Sequence, residues 1–285
     1  MNEPLFVQQA GVWVRAGGVR HSPDEYDERA LQTLSQMQQR HFWYRGRHRF
    51  LLAALRRQLA RLGRSPASLC ALDLGAGCGG WLHYLAQHLQ PGFRELALAD
   101  SSPRALAFAA ELNGPGVQRF QVELGDLGWR DRWDVVFLLD VLEHLDDHET
   151  ALREVAESLT PGGLLLLTVP ALKTFWSFND DLAQHKRRYA KADLRALAGP
   201  AGLTLLEARY FMFFLSPLLL LTRLGRRVPD SLSAEERARI IADTHRVPAA
   251  PLNHLLAAIF SAETPLGLWC PFPWGTSLLG IFQKK

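Results

Sequence analysis

Past "RSPAS" the chain alternates short apolar runs with amphipathic helical segments, and this alternation limits its fold more than any other feature. The runs are "LCALDL", "ELALAD", "VQRFQVE", "WDVVFLLD" and "GLLLLTVP"; between them lie "WLHYLAQHL", "SPRALAFAAEL" and "HETALREVAESL". Strands so continuously rich in Leu and Val have no polar face to turn to water. They must be covered on both sides, as in a parallel sheet whose crossovers are helices. Residues 66–170 are therefore expected to form an open α/β sheet of about five strands.

The flanks read differently. Ser22 is a plausible N-cap, with Pro23 at the first helical position and Asp24 and Glu25 behind it, opening a helix toward Arg40. A second helical pattern, "FWYRGRHRFLLAALRRQLARLG", stops at Gly63. Residues 1–65 are thus expected to be an N-terminal helical cap, followed by an α/β core over 66–212. Beyond it, 213–275 form a helical insertion, with a charged helix "SAEERARIIADTH" and another near Leu252 to Phe260, and 276–285 a last strand that completes the core sheet. Long insertions in such folds usually carry function, so acceptor contacts are expected there.

Composition narrows the partners. A formal charge of +3 dispersed over 285 residues is too weak for nucleic acid as a partner. Cys70, Cys78 and Cys270 form neither a disulfide framework nor a metal-ligand cluster, so no metal is expected and a reducing cytoplasm fits best. The opening "MNEPLFVQQAGVWVRAGG" lacks the basic and apolar regions of a signal peptide. The stretch Tyr210 to Gly225 is broken by Ser216 and Pro217 and falls short of the roughly 20 residues a spanning helix needs. Within it, Phe211 to Leu224 is expected to form an apolar lip over the acceptor site, or to pack inside. Arg223, Arg226 and Arg227 follow it where anionic head groups could be met, so a peripheral contact with the inner face of a membrane is also an expectation.

The first strand runs into "LDLGAGCGGW", Leu72 to Trp81. Gly75, Gly77 and Gly80 have G-x-G-x-x-G spacing, which suits close approach to the pyrophosphate of a dinucleotide. The same residues also read D-x-G-x-G-x-G through Asp73, Gly75, Gly77 and Gly79. Ligands of open α/β sheets sit beyond the carboxyl ends of strands, so this loop shares its ligand with Asp100, which ends the next strand. An acid at Asp100 accepts hydrogen bonds from ribose in either kind of site. Asp73 discriminates, because a carboxylate before the first glycine repels a pyrophosphate but suits a ligand bearing an amino group and a sulfonium.

The ordered set "LDLGAGCGGW", "LADSS", "LGDL", "WDVVFLLDVLEHL" and "TPGGLLLLTVP" resembles the class I S-adenosylmethionine-dependent methyltransferases. The resemblance implies a Rossmann-like α/β fold with a seven-stranded, mostly parallel sheet and an antiparallel last strand. It also implies S-adenosyl-L-methionine as cofactor and methyl transfer as the activity. Residue by residue, Gly75 and Gly77 would let the backbone approach the methionine part, with Asp73 near its polar end. Asp100, with Ser101 beside it, would hold the ribose; Asp126 with Leu127 would border the adenine; Asp140 would lie beside the methionine. For Asp126 an ordinary turn residue is the alternative. A nicotinamide-dependent oxidoreductase would need a Tyr/Lys or His placed for hydride chemistry, and no such pair is visible; a non-catalytic S-adenosylmethionine-binding scaffold is the third reading.

Methyl transfer is an in-line displacement that needs alignment and, for a hydroxyl acceptor, removal of a proton. His144 in "EHL" lies just past the fourth core strand, where an imidazole could act as base, although Glu143 and His144 could instead cap or orient the loop. The second cluster is "FWSFNDDLAQHKRRY", where His185 is the other candidate base. Trp176, Asp180, Arg187, Arg188 and Tyr189 are candidate acceptor contacts, since Arg forks suit phosphate or carboxylate. This region resembles a bacterial subset of these methyltransferases with "HRRY" after the fifth strand, an aromatic-basic block like "HFWYRGRHRF" and a "PFPWGTSLLG"-like terminal strand. Its acceptors are suspected to be glycan or lipid-linked. Gln184 stands where the resemblance implies glycine.

Overall fold

The computed structural model describes residues 5–19, 31–223 and 246–285, with residues 233, 235, 236, 239 and 240. Its strands are β1 (Phe6–Gln9), β2 (Val12–Arg15), β3 (Cys70–Leu74), β4 (Glu95–Asp100), β5 (Gln118–Gln121), β6 (Trp133–Leu139), β7 (Leu159–Pro170), β8 (Leu203–Phe211) and β9 (Ser277–Lys284). Among the described residues they form one nine-stranded sheet in the order β1-β2-β5-β4-β3-β6-β7-β9-β8. The strands from β2 to β7 pair in parallel, and β9 inserts antiparallel between β7 and β8.

Burial on both faces is visible within single strands. In β7, Leu164 and Leu166 join the core cluster on one side of the sheet and Leu165 and Leu167 the cluster on the other, all fully buried. The unbroken Leu run is thus what a doubly covered strand requires.

The sheet has two strands more than the seven expected, and both come from the segment read as part of a helical cap. Ala10 and Gly11 (φ 47° and 79°) make the tight left-handed turn that joins β1 to β2, and Trp13 then pairs in register with Phe120 of β5. The alternation "VWVR" is too short to signal a strand until a sheet edge is there to receive it.

The helices are α1 (Leu31–Arg40), α2 (Phe42–Arg61), α3 (Gly80–His88), α4 (Pro103–Asn113), α5 (His148–Ser158), α6 (Phe178–Leu182), α7 (Lys191–Ala198), α8 (Ser216–Arg223) and α9 (Ala250–Trp269). The helix start at Ser22, Arg226, Arg227 and most of "SAEERARIIADTH" lie outside the described residues. No described helix is long and apolar enough to cross a membrane.

The insertion helix α9 fixes the N-terminal helices. Its buried Asn253 accepts from the Phe42 N–H (2.8 Å) and donates to the Arg40 carbonyl (2.9 Å), holding the α1–α2 junction. Gly46 of α2 lies so close to α9 that a Cβ there would stand 2.0 Å from the Phe260 ring. Through these contacts the insertion places α1 and α2 over the carboxyl ends of the strands.

Candidate active site

Strand order reverses at β3, so the loops after β3, β4 and β6 open into one crevice. The loop after β3 turns through left-handed Gly75, Gly77 and Gly79 (φ 68°, 54° and 75°). At Gly75 a Cβ would meet Val141 at 2.5 Å, so the residue must be glycine on steric as well as conformational grounds. Asp100 ties this loop to the next: its carboxylate accepts from the Gly77 N–H (2.8 Å) and the Ser102 N–H (2.9 Å). Asp73 is buried within β3, and burial raises its carboxyl to about 8, with Asp100 adding to the rise and Arg47 opposing it.

These groups line one cavity of about 670 Å³, within the range of small-molecule sites. Asp140, at the end of β6, has a left-handed backbone (φ 57°) and pairs through its carboxylate with Arg47 of α2. The Arg47 guanidinium is buried, with its Cζ 4.9 Å from the ring centroids of both Trp43 and Tyr44. Helix α1 closes another wall, where Gln38 accepts from the Gly80 N–H (3.0 Å).

Beyond Asp140 the chain makes a short turn, Leu142–His144, whose Glu143 carbonyl and His144 ring meet the segment after α6. Glu143 is fully buried and neither carboxylate oxygen has a hydrogen-bond partner; burial, then the charge of Asp140, pushes its carboxyl well above the usual range. The His144 ring lies 4.8 Å from that of His185, edge to face, and burial followed by the neighbouring His185 lowers it to about 3. His185 Nδ1 is bonded to Asp180 Oδ1 at 3.0 Å. Asp180 is itself gripped by Nε and Nη2 of Arg188 (2.7 and 3.0 Å) and by the N–H and hydroxyl of Ser177 (2.8 and 3.0 Å).

An S-adenosylmethionine molecule suits this site. A glycine turn leaves room for close approach, an acid ends the neighbouring strand, a second acid lies at the loop's base, and a mixed polar and apolar cavity continues past them. Asp73, Gly75, Gly77, Asp100, Ser101, Asp140, His144, Asp180, His185 and Arg188 all line it.

Five other residues named from sequence do not. Asp126 is exposed and paired with Arg15 of β2 at 2.9 Å, while Leu127 is buried in the core; Val122 and Leu124 line the cavity instead. Trp176 lies outside, donating to Asp181 at 2.9 Å, and Arg187 donates to the Asp146 carbonyl at 3.0 Å. Tyr189 is buried with its hydroxyl between His148 (2.9 Å) and the Leu142 carbonyl (3.3 Å). Arg188 reaches the cavity, but both its arms are committed to Asp180 and to the Ala171 carbonyl (2.9 Å). The basic run therefore secures the loop more than it offers cations to an acceptor. Nothing local in the sequence marks Arg47 and Tyr44 beyond their place in the aromatic-basic block "HFWYRGRHRF".

The family described as methyltransferase domain matches residues 42–208, from the start of α2 into β8. The trans-aconitate 2-methyltransferase of Deinococcus radiodurans is 34% identical over 122 residues, 43% of this chain and 43% of that protein, so the chain matches less than half the length of that curated relative. A chain of the complex between the Haloferax volcanii Trm112 methyltransferase activator and a methyltransferase superposes with a TM-score of 0.56 at 19% identity, covering 92% of this chain and 97% of its own. The phosphoethanolamine N-methyltransferase 2 of Haemonchus contortus, solved with S-adenosyl-L-methionine, gives 0.50 at 19% identity over 79% of this chain and 51% of its own.

Proposed function

Since the chain belongs to the methyltransferase-domain family, we propose that it transfers the methyl group of S-adenosylmethionine to a hydroxyl of a small-molecule, glycan or lipid-linked acceptor held at the Glu143–His144–His185 corner of the cavity. The cofactor supplies an electrophilic methyl carbon; alignment and proton handling fall to the protein. The observation that carries the reading is the Asp180–His185 pair. Asp180 accepts from His185 Nδ1, which fixes the ring and leaves Nε2 as the nitrogen free to act as base or to orient a hydroxyl. His144, kept neutral by burial, stands beside it as a second hydrogen-bonding nitrogen.

A carboxylate acceptor, as in the name of the Deinococcus relative, is a poorer match. The buried cations of the cavity, Arg47 and Arg188, are already paired with Asp140 and Asp180, and Arg246, which also lines it, is exposed to water. A lipid-linked acceptor draws support from α8. Leu219 lines the cavity while its neighbours Leu218, Leu220 and Leu221 are 48%, 37% and 67% exposed, an apolar rim at the mouth.

Labelled cofactor incubated with fractionated cell extract tests the reading. A methyl ether product that resists mild alkali, with formation falling about 10²-fold or more in His185→Gln or His144→Asn while S-adenosylhomocysteine still binds, is the expected result. An alkali-labile methyl ester, or full rates in both variants, overturns it.

A further inference from the structure

We propose that Glu143, His144 and His185 form a site for one divalent cation of the zinc type, open on its cavity side to an oxygen of the methyl acceptor. The fold brings one ligand atom from each of the three residues to within 4.8 Å of the others, although His185 is distant in sequence from the Glu143–His144 pair. Zinc–ligand bonds of about 2.0–2.2 Å set tetrahedral ligands roughly 3.5 Å apart, so side-chain movements of about an ångström complete the set. Two imidazoles and a carboxylate, with a further position open, are the ligands of a catalytic rather than a structural zinc site.

Three features of the corner point to a cation. Glu143 is completely buried with both oxygens unpartnered, an arrangement that is costly for a carboxylate unless a positive charge or donor meets it. The enclosed Nδ1 of His144 is also unpartnered. His185 already has the support a metal-binding histidine needs: its Nδ1 is held by Asp180, which Arg188 and Ser177 immobilise in turn, so the ring is fixed and Nε2 is left as the ligand nitrogen. The Lys186 N–H donates to the Glu143 carbonyl at 2.9 Å, pinning the strand of chain that carries His185 to the turn that carries the other two ligands.

The inference rests on reading this corner as the acceptor end of the cavity and says what the corner does there. His185 then serves as a ligand through Nε2. An acceptor hydroxyl held at the open position gives up its proton to solvent at lower pH. Its oxygen forms the new O–C bond as the C–S bond breaks, and the electron pair stays on sulfur, turning the sulfonium into a thioether.

Chelator-treated protein titrated with zinc chloride in a calorimeter, and with cobalt(II) chloride followed by visible absorption, provides the test. One equivalent is expected to bind, with cobalt giving the intense bands of a four- or five-coordinate site. Glu143→Gln and His185→Ala should each weaken binding more than about tenfold, while His83→Ala on the surface of α3 leaves it unchanged. Retained S-adenosylhomocysteine binding certifies that each variant is folded. No binding, or binding indifferent to both ligand variants, overturns the proposal. If methyl ether formation persists in chelator without cation binding, the metal site falls and the acceptor reading stands; if the cation binds as described but no hydroxyl product forms, the site stands and the acceptor reading falls.

Discussion

Arg47 and Asp140, 93 positions apart, meet inside the cavity as an ion pair, and this contact joins the N-terminal helices to the strand end that borders the cofactor crevice. Arg47 comes from α2, which α9 holds in place through Asn253 and Phe260, so the insertion, the N-terminal block and β6 converge on one carboxylate. A guanidinium flanked by two aromatic rings is more weakly hydrated than an ammonium and presents a planar fork, which suits it to this enclosed position.

Removing Arg47 would leave the Asp140 carboxylate, with its side chain only 21% exposed, without its partner. Breaking such a pair costs about 3 kcal/mol. Arg47→Met is therefore expected to lower the unfolding free energy by that order, read in urea as a lower midpoint at an unchanged slope, and Arg47→Lys to recover only part of the loss because an ammonium cannot reproduce the fork. Unchanged stability in Arg47→Met would show that the pair contributes nothing to holding α2 on the core.

Asp73 carries a pH dependence. Its carboxyl, raised to about 8 chiefly by burial, is largely protonated at pH 6.5 in the free protein. On the reading that the cofactor's ammonium group binds at this end of the crevice, it favours the carboxylate, so binding releases a proton wherever Asp73 starts protonated and the amine, of pKa about 7.7–8.0, starts charged. Affinity should then rise with pH between about 6 and 7.5, by at most tenfold per unit. Calorimetry at pH 6.5 in buffers of different ionisation enthalpy is expected to report close to one proton released, and Asp73→Asn to abolish the release.

The legible parts of this site are those determined within a few residues of chain. Asp73, Gly75, Gly77, Asp100 and Asp140 stand at strand ends and in the turns after them, where the local sequence dictates both backbone and direction, and the structure puts all five on the cavity. Asp126 has the same local appearance. Its placement depends instead on Arg15, on a hairpin whose pairing with β5 cannot be seen in either segment alone. The pairing of Arg47 with Asp140, and the isolation of Glu143 from any donor, arise only when helix and sheet are packed together. Arg188 and Tyr189 show the converse: charged and aromatic residues clustered after a strand read as ligand contacts, and although Arg188 lines the cavity, the polar groups of both are met by Asp180, Ala171, His148 and Leu142 of the same chain.

Gln184 is one of the non-glycine residues held in a left-handed conformation. It lies two residues past α6 with φ 57°, a left-handed position where a side chain is strained and glycine is not. Gln184→Gly is expected to keep the Asp180–His185 geometry and to change stability by between zero and about 1 kcal/mol in the favourable direction, since relief of strain is partly offset by the freer unfolded chain. A β-branched residue there, Gln184→Val, should cost more than about 1 kcal/mol. Thermal melts of the two variants decide this, and a destabilised Gln184→Gly would mean that the glutamine side chain has a role the backbone argument omits.

The apolar rim of α8 gives the last prediction. Leu219 faces the cavity while Leu218 and Leu221 face outward at 48% and 67% exposure, and α9 exposes Leu252 and Leu255 at 50% and 57%. If the acceptor is lipid-linked, these side chains meet the acyl boundary while the acceptor head enters the cavity beside Leu219. Wild-type protein should then co-sediment with liposomes, and the double substitution Leu218→Asp/Leu221→Asp should abolish co-sedimentation without lowering the melting temperature, because neither side chain is buried. Leu219→Asp serves as the contrast: it places a charge on the cavity wall and is expected to weaken acceptor turnover even in detergent. Added salt separates apolar from electrostatic attachment, since apolar burial survives it whereas attraction to anionic head groups is screened. Absence of liposome binding by the wild type, with acceptor activity found only in the aqueous fraction of an extract, would assign the exposed leucines to some other contact and leave a water-soluble hydroxyl compound as the acceptor.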